Sequence, residues 1–435
     1  MKKWMSLPLS LALVAGLIAG CSSTEKTGND TASNNKVEKV KLHFFTGKVE
    51  TVDLMEELIA KFEAENPGIE VEQEFQKDAS NVFKVKLASG DVPDITTVVS
   101  QEYIDQGQYL DLSGEPFWER VIPSVKELTA DIKTGKNFKA ASNVTMGGIF
   151  YNKQLFEELN LQPATTWEEF KSNLKTIKER RPDVVPLFLA GKESWTLGQL
   201  MEFVAHGPIK QELGVMEAKK AFIQNDSGKL KFAESKGAVD TFAQRLVELK
   251  DEGLINSDTI TATYDNQKEG FVQGKTAMII QGMWVMGDLL QMAPDFQDNI
   301  GFAPIPSVVD GLKPVVLSAE DSVYAITADS KHPEEAKKFL DFLFQPENLK
   351  VYSEALKAPA AFTDVDADWG PLKDAADEAL KSAAGIAFTD WPSGFSGDDA
   401  GRLVQELLVG KYKNSVDFAK EFENTWNKAW QANNK

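Results

Sequence analysis

The feature that most constrains this chain is a change of hydrophobic period along its first ordered hundred residues. Val40, Leu42 and Phe44 alternate with Lys41 and His43, which is the two-residue period of a strand. In the stretch that follows, TVDLMEELIAKFEAENPG, Leu54, Leu58 and Phe62 fall on one helical stripe with Ile59 beside them. Asn66-Pro67-Gly68 stops that helix, and Ile69, Val71 and Phe75 then alternate with acids as a second strand. A further amphipathic stretch, NVFKVKLASG, ends at Gly90, and DVPDITTVVS supplies a third strand. Strand–helix–strand repetition builds parallel strands with right-handed crossovers, so the fold class is α/β.

Ahead of this pattern the chain has a different character. Lys2 and Lys3 precede an almost wholly apolar run from Leu7 to Ile18, and Ala19-Gly20 supplies small residues for a peptidase, the layout of a secretory leader. The run falls short of the roughly 20 residues a helix needs to span a bilayer, and no later window predicts a transmembrane helix. Residues 22–36, SSTEKTGNDTASNNK, hold no large hydrophobe and read as a flexible tether. Between leader and tether stands Cys21, the one cysteine of 435 residues, so no internal disulfide exists.

Composition narrows the function. The formal charge is −19, and loss of residues 1–20 with Lys2 and Lys3 leaves 45 basic against 66 acidic residues, about −21. That balance disfavours nucleic acid and anionic lipid headgroups, which select basic patches. His43, His206 and His332 are scattered, with no Cys/His cluster at zinc-ligand spacing, so neither metal nor cofactor is expected. The chain is too long for a single core, which predicts two lobes.

No catalytic signature occurs: there is no zinc-protease helix motif, no phosphate loop ending in Lys-Ser/Thr, and SGFSGDD lacks the glycine of a nucleophile elbow. Asp364, Asp366 and Asp368 resemble the start of a calcium loop, but the glycine comes one place late at Gly370 and position twelve is Ala375, so an acidic surface turn is expected. Asp398 and Asp399 are adjacent and suit a helix start better than a glycosidase pair. Thr166 and Glu169 have capping-box spacing. Phe339, Phe342 and Leu343 form an apolar helix stripe; Phe418, Phe422, Trp426 and Trp430, four residues apart, predict a buried helix face. By contrast Trp195, Trp284 and Trp391 follow flexible residues in GKESW, QGMW and FTDWPSG. Such flat apolar faces can stack on the C–H face of a sugar while nearby acids and amides bond its hydroxyls.

Several stretches, taken in order, resemble the extracellular solute-binding proteins (family 1) of ABC importers, in the carbohydrate-binding branch that includes maltose-binding and multiple-sugar-binding proteins. They are LHFFTG with the helix to ENPGIEVE, LASGDVPDI, GGIFYNKQLFEELNL with TTWEEF, FVQGKTAMIIQGMW, IGFAPIP and HPEEAKKFLDFLFQPEN, spanning nearly the whole chain after the leader. LIAGC likewise resembles the lipobox of bacterial lipoproteins, which implies acylation of Cys21 and a membrane anchor.

The resemblance implies a two-lobed periplasmic-binding-protein-like fold of class II type, each lobe a mostly parallel sheet flanked by helices, with the ligand cleft between them. Its implied segments are leader 1–20, tether 21–37, first lobe 38–141 and 306–356, and second lobe 142–305 and 357–435. The chain would cross near Ala141, Pro306 and Lys357. Open α/β sheets also hold ligands beyond the carboxyl ends of their strands, and the strand readings put Phe45-Thr46-Gly47 and Ser100-Gln101-Glu102 at such ends. By resemblance the sugar site takes stacking faces from Trp284, Trp195 and Trp391, with Glu193 beside Trp195. Hydrogen bonds come from Thr46, Lys48, Gln101, Glu102 and Thr145, with Glu320, Asp321 and Asp78 as further candidates. VVSQE lacks the aromatic and the Asp-Arg pair of maltose-binding protein, which weakens the case for maltodextrin.

The implied function is that of a non-enzymatic, monomeric lipoprotein on the outer face of a Gram-positive cell membrane. It would capture an oligosaccharide by lobe closure and hand it to the transmembrane subunits of an ABC permease. Two other readings stand beside it. A charged solute, polyamine or glycerol phosphate, would need clustered carboxylates or arginines. A lipid-anchored glycoside hydrolase would need two carboxylates facing each other across the cleft.

Overall fold

The computed structural model describes residues 39–433 apart from Ser393. The leader, the tether and Cys21 lie outside the described residues. Among the described residues no helix is long and apolar enough to cross a membrane.

Among the described residues nine strands form one mixed sheet: β1 (Val40–Thr46), β2 (Ile69–Phe75), β3 (Ile95–Thr96), β4 (Ala140–Asn152), β5 (Val185–Leu187), β6 (Thr276–Gly282), β7 (Ile300–Ala303), β8 (Val315–Ile326) and β9 (Ala384–Ile386). Their order is β2-β1-β3-β8-β4-β6-β5, with β7 on β4 and β9 on β8. The opening pattern folds as its periodicity demands. β1 and β2 pair in parallel from Val40 opposite Ile69 to Thr46 opposite Phe75, and helix Val52–Glu65 crosses between them. That helix buries Met55, Leu58, Ile59 and Phe62, while Leu54 is only half-buried, so the stripe is turned one position from the spacing alone. Gly90 ends helix Ala79–Ser89 at φ 76°, a conformation that costs glycine nothing.

The third strand is shorter than predicted. Pro93 precedes it, and the Val98 amide bonds Thr96 Oγ1 instead of a neighbouring strand, so pairing ends after two residues. The parallel pairings join β1 to β2 and β3, β5 to β6, and β8 to β9. The long strands β4 and β8 run antiparallel to each other and carry the middle of the sheet.

Two large cores flank this middle. The first gathers Phe44, Phe62, Ile95, Tyr324, Phe339 and Phe342, extended by a small cluster around Phe45, Phe83 and Tyr103. The second gathers Phe150, Leu174, Phe203, Phe242, Ile279 and Val404. Thr166 and Glu169 form the capping box that starts helix Trp167–Arg180. In helix Ser415–Asn433, Phe418, Phe422 and Trp426 are fully buried, whereas Trp430 is half-buried with its indole N–H on the Ile223 carbonyl.

β4 belongs to the first core at Ala140 and Ala141 and to the second from Met146; β8 passes the other way, from Val315–Ala319 to Tyr324 and Ile326. A third passage runs from Phe362 in the first core to Trp369 in the second. Here Ala358–Phe362 lies along β4, the Val144 and Ala361 amides bonding Pro359 and Ser142 carbonyls.

Candidate functional site

Where β4 and β8 leave one core for the other, their sequences turn polar. Asn143 and Thr145 stand opposite Ala319–Asp321, with Asn143 paired to Asp321 and Thr145 to Ala319, and Ser142 precedes them. Ser142, Asn143, Thr145, Glu320 and Ser322 are all buried. Mid-strand positions this deep are ordinarily apolar, because a buried polar atom costs free energy unless it is bonded. Yet Asn143 Nδ2, Thr145 Oγ1 and Ser322 Oγ have no hydrogen-bond partner among the described residues. Ser322 also has φ 47°, a left-handed conformation that a non-glycine residue adopts at a cost and that concentrates at functional sites. This polar waist is the centre of the candidate site.

The first core supplies the end of β1. Thr46 is buried, and its Oγ1 accepts the Lys48 amide and the Thr97 hydroxyl, which fixes the turn. Lys48 Nζ reaches Asp321 Oδ2 at 2.6 Å. Burial works against the ammonium, but Asp321 and the other acidic neighbours outweigh it and hold the lysine pKa above its ordinary value. Burial also raises Glu50, against the pull of Lys48. On the other side of β8, Lys139 Nζ lies 3.0 Å from Glu320 Oε1. Both acids of β8 predicted as site residues are therefore ion-paired at the waist.

The second core supplies the aromatic faces. Trp284 follows β6 and is 9% exposed; its ring lies over Gly282, where a Cβ would sit 2.0 Å from it, and it stacks with Phe388 at 6.4 Å. Trp284 Nε1 donates to Gln281 Oε1, which anchors the indole to a buried amide chain running on through Gln267. Glu193 is the first residue before helix Ser194–Leu200, and its carboxylate accepts the Tyr264 amide at 3.0 Å. Trp195 is half-buried, edge-on to Tyr264 at 5.1 Å. The Tyr264 hydroxyl is buried without a partner among the described residues, and burial together with Glu50 and Asp288 holds the phenol far from ionising.

The segment after β9 completes the arrangement. Trp391 is half-buried, its ring 5.4 Å from His206 and 5.7 Å from Trp426, so it packs partly into the second core. Beside it Asp390 accepts no hydrogen bond from the described residues. Burial raises its pKa, while Lys219, Lys139 and Lys210 pull the other way and Glu320 opposes them. Lys219 belongs to the second core but donates to the carbonyls of Leu128 and, at 3.2 Å, Ala130, which end a helix of the first. Glu102 accepts the Gly394 amide at 3.3 Å, a further bond between the two halves.

Not every predicted residue converges. Gln101 donates to Asp105 and Asp131 at the edge of the first core. Asp78 is exposed and held by Asn81 on its own helix. Asp364 is paired with Arg120 at 2.7 Å, and Asp368 accepts the Gly370 amide, as an acidic turn would. Asp399 closes a capping box with Ser396 at the start of helix Gly397–Leu408, and Asp398 accepts Ser194 Oγ at 2.6 Å. The structure adds Phe388, Asp390, Tyr264, Lys139 and Lys219. Of these only Phe388 and Asp390 had a local signal, standing beside Trp391 in FTDWPSG.

Comparison with known proteins identifies the family. The family model for bacterial extracellular solute-binding proteins matches residues 48–350. The melibiose/raffinose/stachyose-binding protein MelE of Bacillus subtilis is 28% identical over 364 residues, covering 83% of this chain and 82% of that protein. The multiple sugar-binding protein of Streptococcus mutans is 26% identical over 387 residues, covering 87% and 86%. Among solved structures, the solute-binding protein RafE in complex with raffinose has a TM-score of 0.76 at 26% identity, covering 89% of this chain and 100% of that one. A Bacillus licheniformis sugar transporter protein in complex with stachyose has the same TM-score at 25% identity, with 90% and 100% covered. The family match takes in Lys48 and both strands of the waist, and it extends over more than half of the sequence: the chain belongs to the bacterial extracellular solute-binding protein family.

Proposed function

We propose that this protein is the sugar receptor of an ABC importer, anchored by lipid at Cys21 to the outer face of a Gram-positive cell membrane. The two cores act as lobes that close on an oligosaccharide at the waist, and the closed form docks on the permease. One combination supports the reading: stacking faces and unsatisfied polar groups both come from the segments that border the waist. Trp284 and Phe388 offer flat apolar surface. Asp390, Thr145 Oγ1, Asn143 Nδ2 and the Tyr264 hydroxyl offer acceptors and donors that the protein leaves unused. A neutral polyol suits that mixture, since its hydroxyls both donate and accept while its C–H faces stack.

The names of the relatives set the order of testing. Thermal denaturation of the purified protein with melibiose, raffinose and stachyose, beside manno- and xylo-oligosaccharides, should give a rise in Tm with one group. Chromatography of the same mixtures should show the sugar unchanged after prolonged incubation. No rise with any sugar, or steady appearance of shorter products, would sink the receptor reading. Stabilisation by spermidine or glycerol phosphate alone would move the ligand to the charged class.

Anchoring is tested separately. Cys21→Ser in the full-length protein should shift it from the membrane fraction to the medium while the purified protein keeps its affinity. Retention in the membrane would overturn the anchor.

A further inference from the structure

Three of the buried polar side chains outside the proposed contacts come from one stretch. The π-helical turn Met201–Ala205 runs into helix His206–Leu213, and Glu202, His206 and Lys210 recur along it at four-residue intervals on one face. None is more than 7% exposed. All three meet the segment that follows β9. Glu202 accepts the Thr389 amide, His206 Nδ1 lies 3.0 Å from Thr389 Oγ1, and Lys210 Nζ donates to the Ala387 carbonyl at 2.7 Å. Glu202 and Lys210 are 3.7 Å apart, and the His206 ring packs against Trp391.

The segment needs such support. Among the described residues, 388–391 make no backbone-to-backbone hydrogen bond, and they carry Phe388, Asp390 and Trp391. Packing alone does not account for the clamp, because a buried ion pair is often no better than apolar residues of equal volume. Its cost shows in both partners: burial raises Glu202, and burial lowers Lys210 to about 8. A π-turn changes the register of side chains within a helix and is frequent at functional sites.

We infer that Glu202, His206 and Lys210 are positioning residues for ligand binding, a buried clamp that sets Phe388, Asp390 and Trp391 in register against the waist. The inference rests on the sugar-receptor reading for what the segment binds, but the clamp itself can be measured without sugar.

The decisive variant is Glu202→Leu with Lys210→Met, which removes both charges and fills the space. Amide exchange of 387–391, followed by mass spectrometry on sugar-free protein, should accelerate at least about tenfold, because the Thr389 amide loses its buried acceptor. Raffinose and stachyose Kd should rise by roughly ten- to a hundredfold while Tm stays within a few degrees of the parent. Unchanged exchange, or unchanged Kd with accelerated exchange, overturns the inference. If the double variant does not fold, Thr389→Val decides. It deletes only the hydroxyl that His206 meets, and it should raise Kd several-fold at unaltered Tm; an unaltered Kd overturns the clamp. Should the parent bind none of the sugars tested while exchange still accelerates, the receptor reading fails and the clamp stands.

Discussion

Asp390→Asn should weaken sugar binding by roughly ten- to a hundredfold, the worth of one charge-assisted hydrogen bond. It should leave the sugar-free protein as stable as the parent, or more so. The sign follows from the carboxyl pKa, which burial raises in the fold. A carboxylate raised by folding binds its proton more tightly in the native state, so its contribution to stability falls as pH rises through the acid range and is unfavourable at neutrality. Asparagine keeps the shape and removes that charge. The lysines around it are the counterweight: Lys139 retains Glu320 at 3.0 Å, and Lys219 retains two carbonyls. Isothermal titration and thermal denaturation of the same preparation check both halves. A fall in Tm with Kd unchanged would make Asp390 a structural residue.

Gly401→Ala is expected to cost about 3 kcal/mol, the upper range for overpacking, and to lower Tm by several degrees. On an exposed helix the same change would stabilise by up to about 1 kcal/mol, since alanine is the better helix former. Here a Cβ would stand 1.8 Å from the Ser194 carbonyl oxygen, and on the facing helix a Cβ at Gly198 would stand 1.9 Å from that of Gly397. The two helices, Ser194–Leu200 and Gly397–Leu408, thus touch backbone to backbone. Parting them by a shift of the first would move Glu193 and Trp195 at its head, so sugar affinity is expected to fall together with stability. Denaturant unfolding measures the first effect and titration the second. A variant as stable as the parent would show that the helices separate freely.

Local pattern carried much of the fold. β1, its crossover helix and β2 follow from two clean periodicities; the capping box at Thr166 and the buried face of Phe418, Phe422 and Trp426 follow from fixed spacings. Such features are legible because they depend on residues within a turn or two of one another. The misreadings have equally local reasons. The third strand was cut to Ile95–Thr96 by a side chain that took a backbone donor, and the helix stripe settled on Met55 instead of Leu54 because the sheet beneath it fixed the rotation.

The site was only partly legible. Trp284 and, as further candidates, Glu320 and Asp321 are implied by the family resemblance, and β8 carries both acids through the waist while Trp284 follows β6. Asp390 has only its place beside Trp391 as a signal, because an acid in a loop is unremarkable until three lysines surround it. Two of those lysines, Lys139 and Lys219, come from positions 251 and 171 residues upstream, a distance over which no periodicity operates. Similarly, no pattern tells that Glu202, His206 and Lys210 aim at Ala387 and Thr389.

By itself, then, the sequence determined the α/β class, most of the helix faces, the acidic surface and the stacking residues worth watching, because propensity and period are properties of neighbours. Tertiary structure alone decided which polar residues are buried together, which carboxylates are paired and which are left unbonded. Those outcomes depend on desolvation and on contacts between segments far apart in the chain, and both exist only after the two cores have formed around β4 and β8.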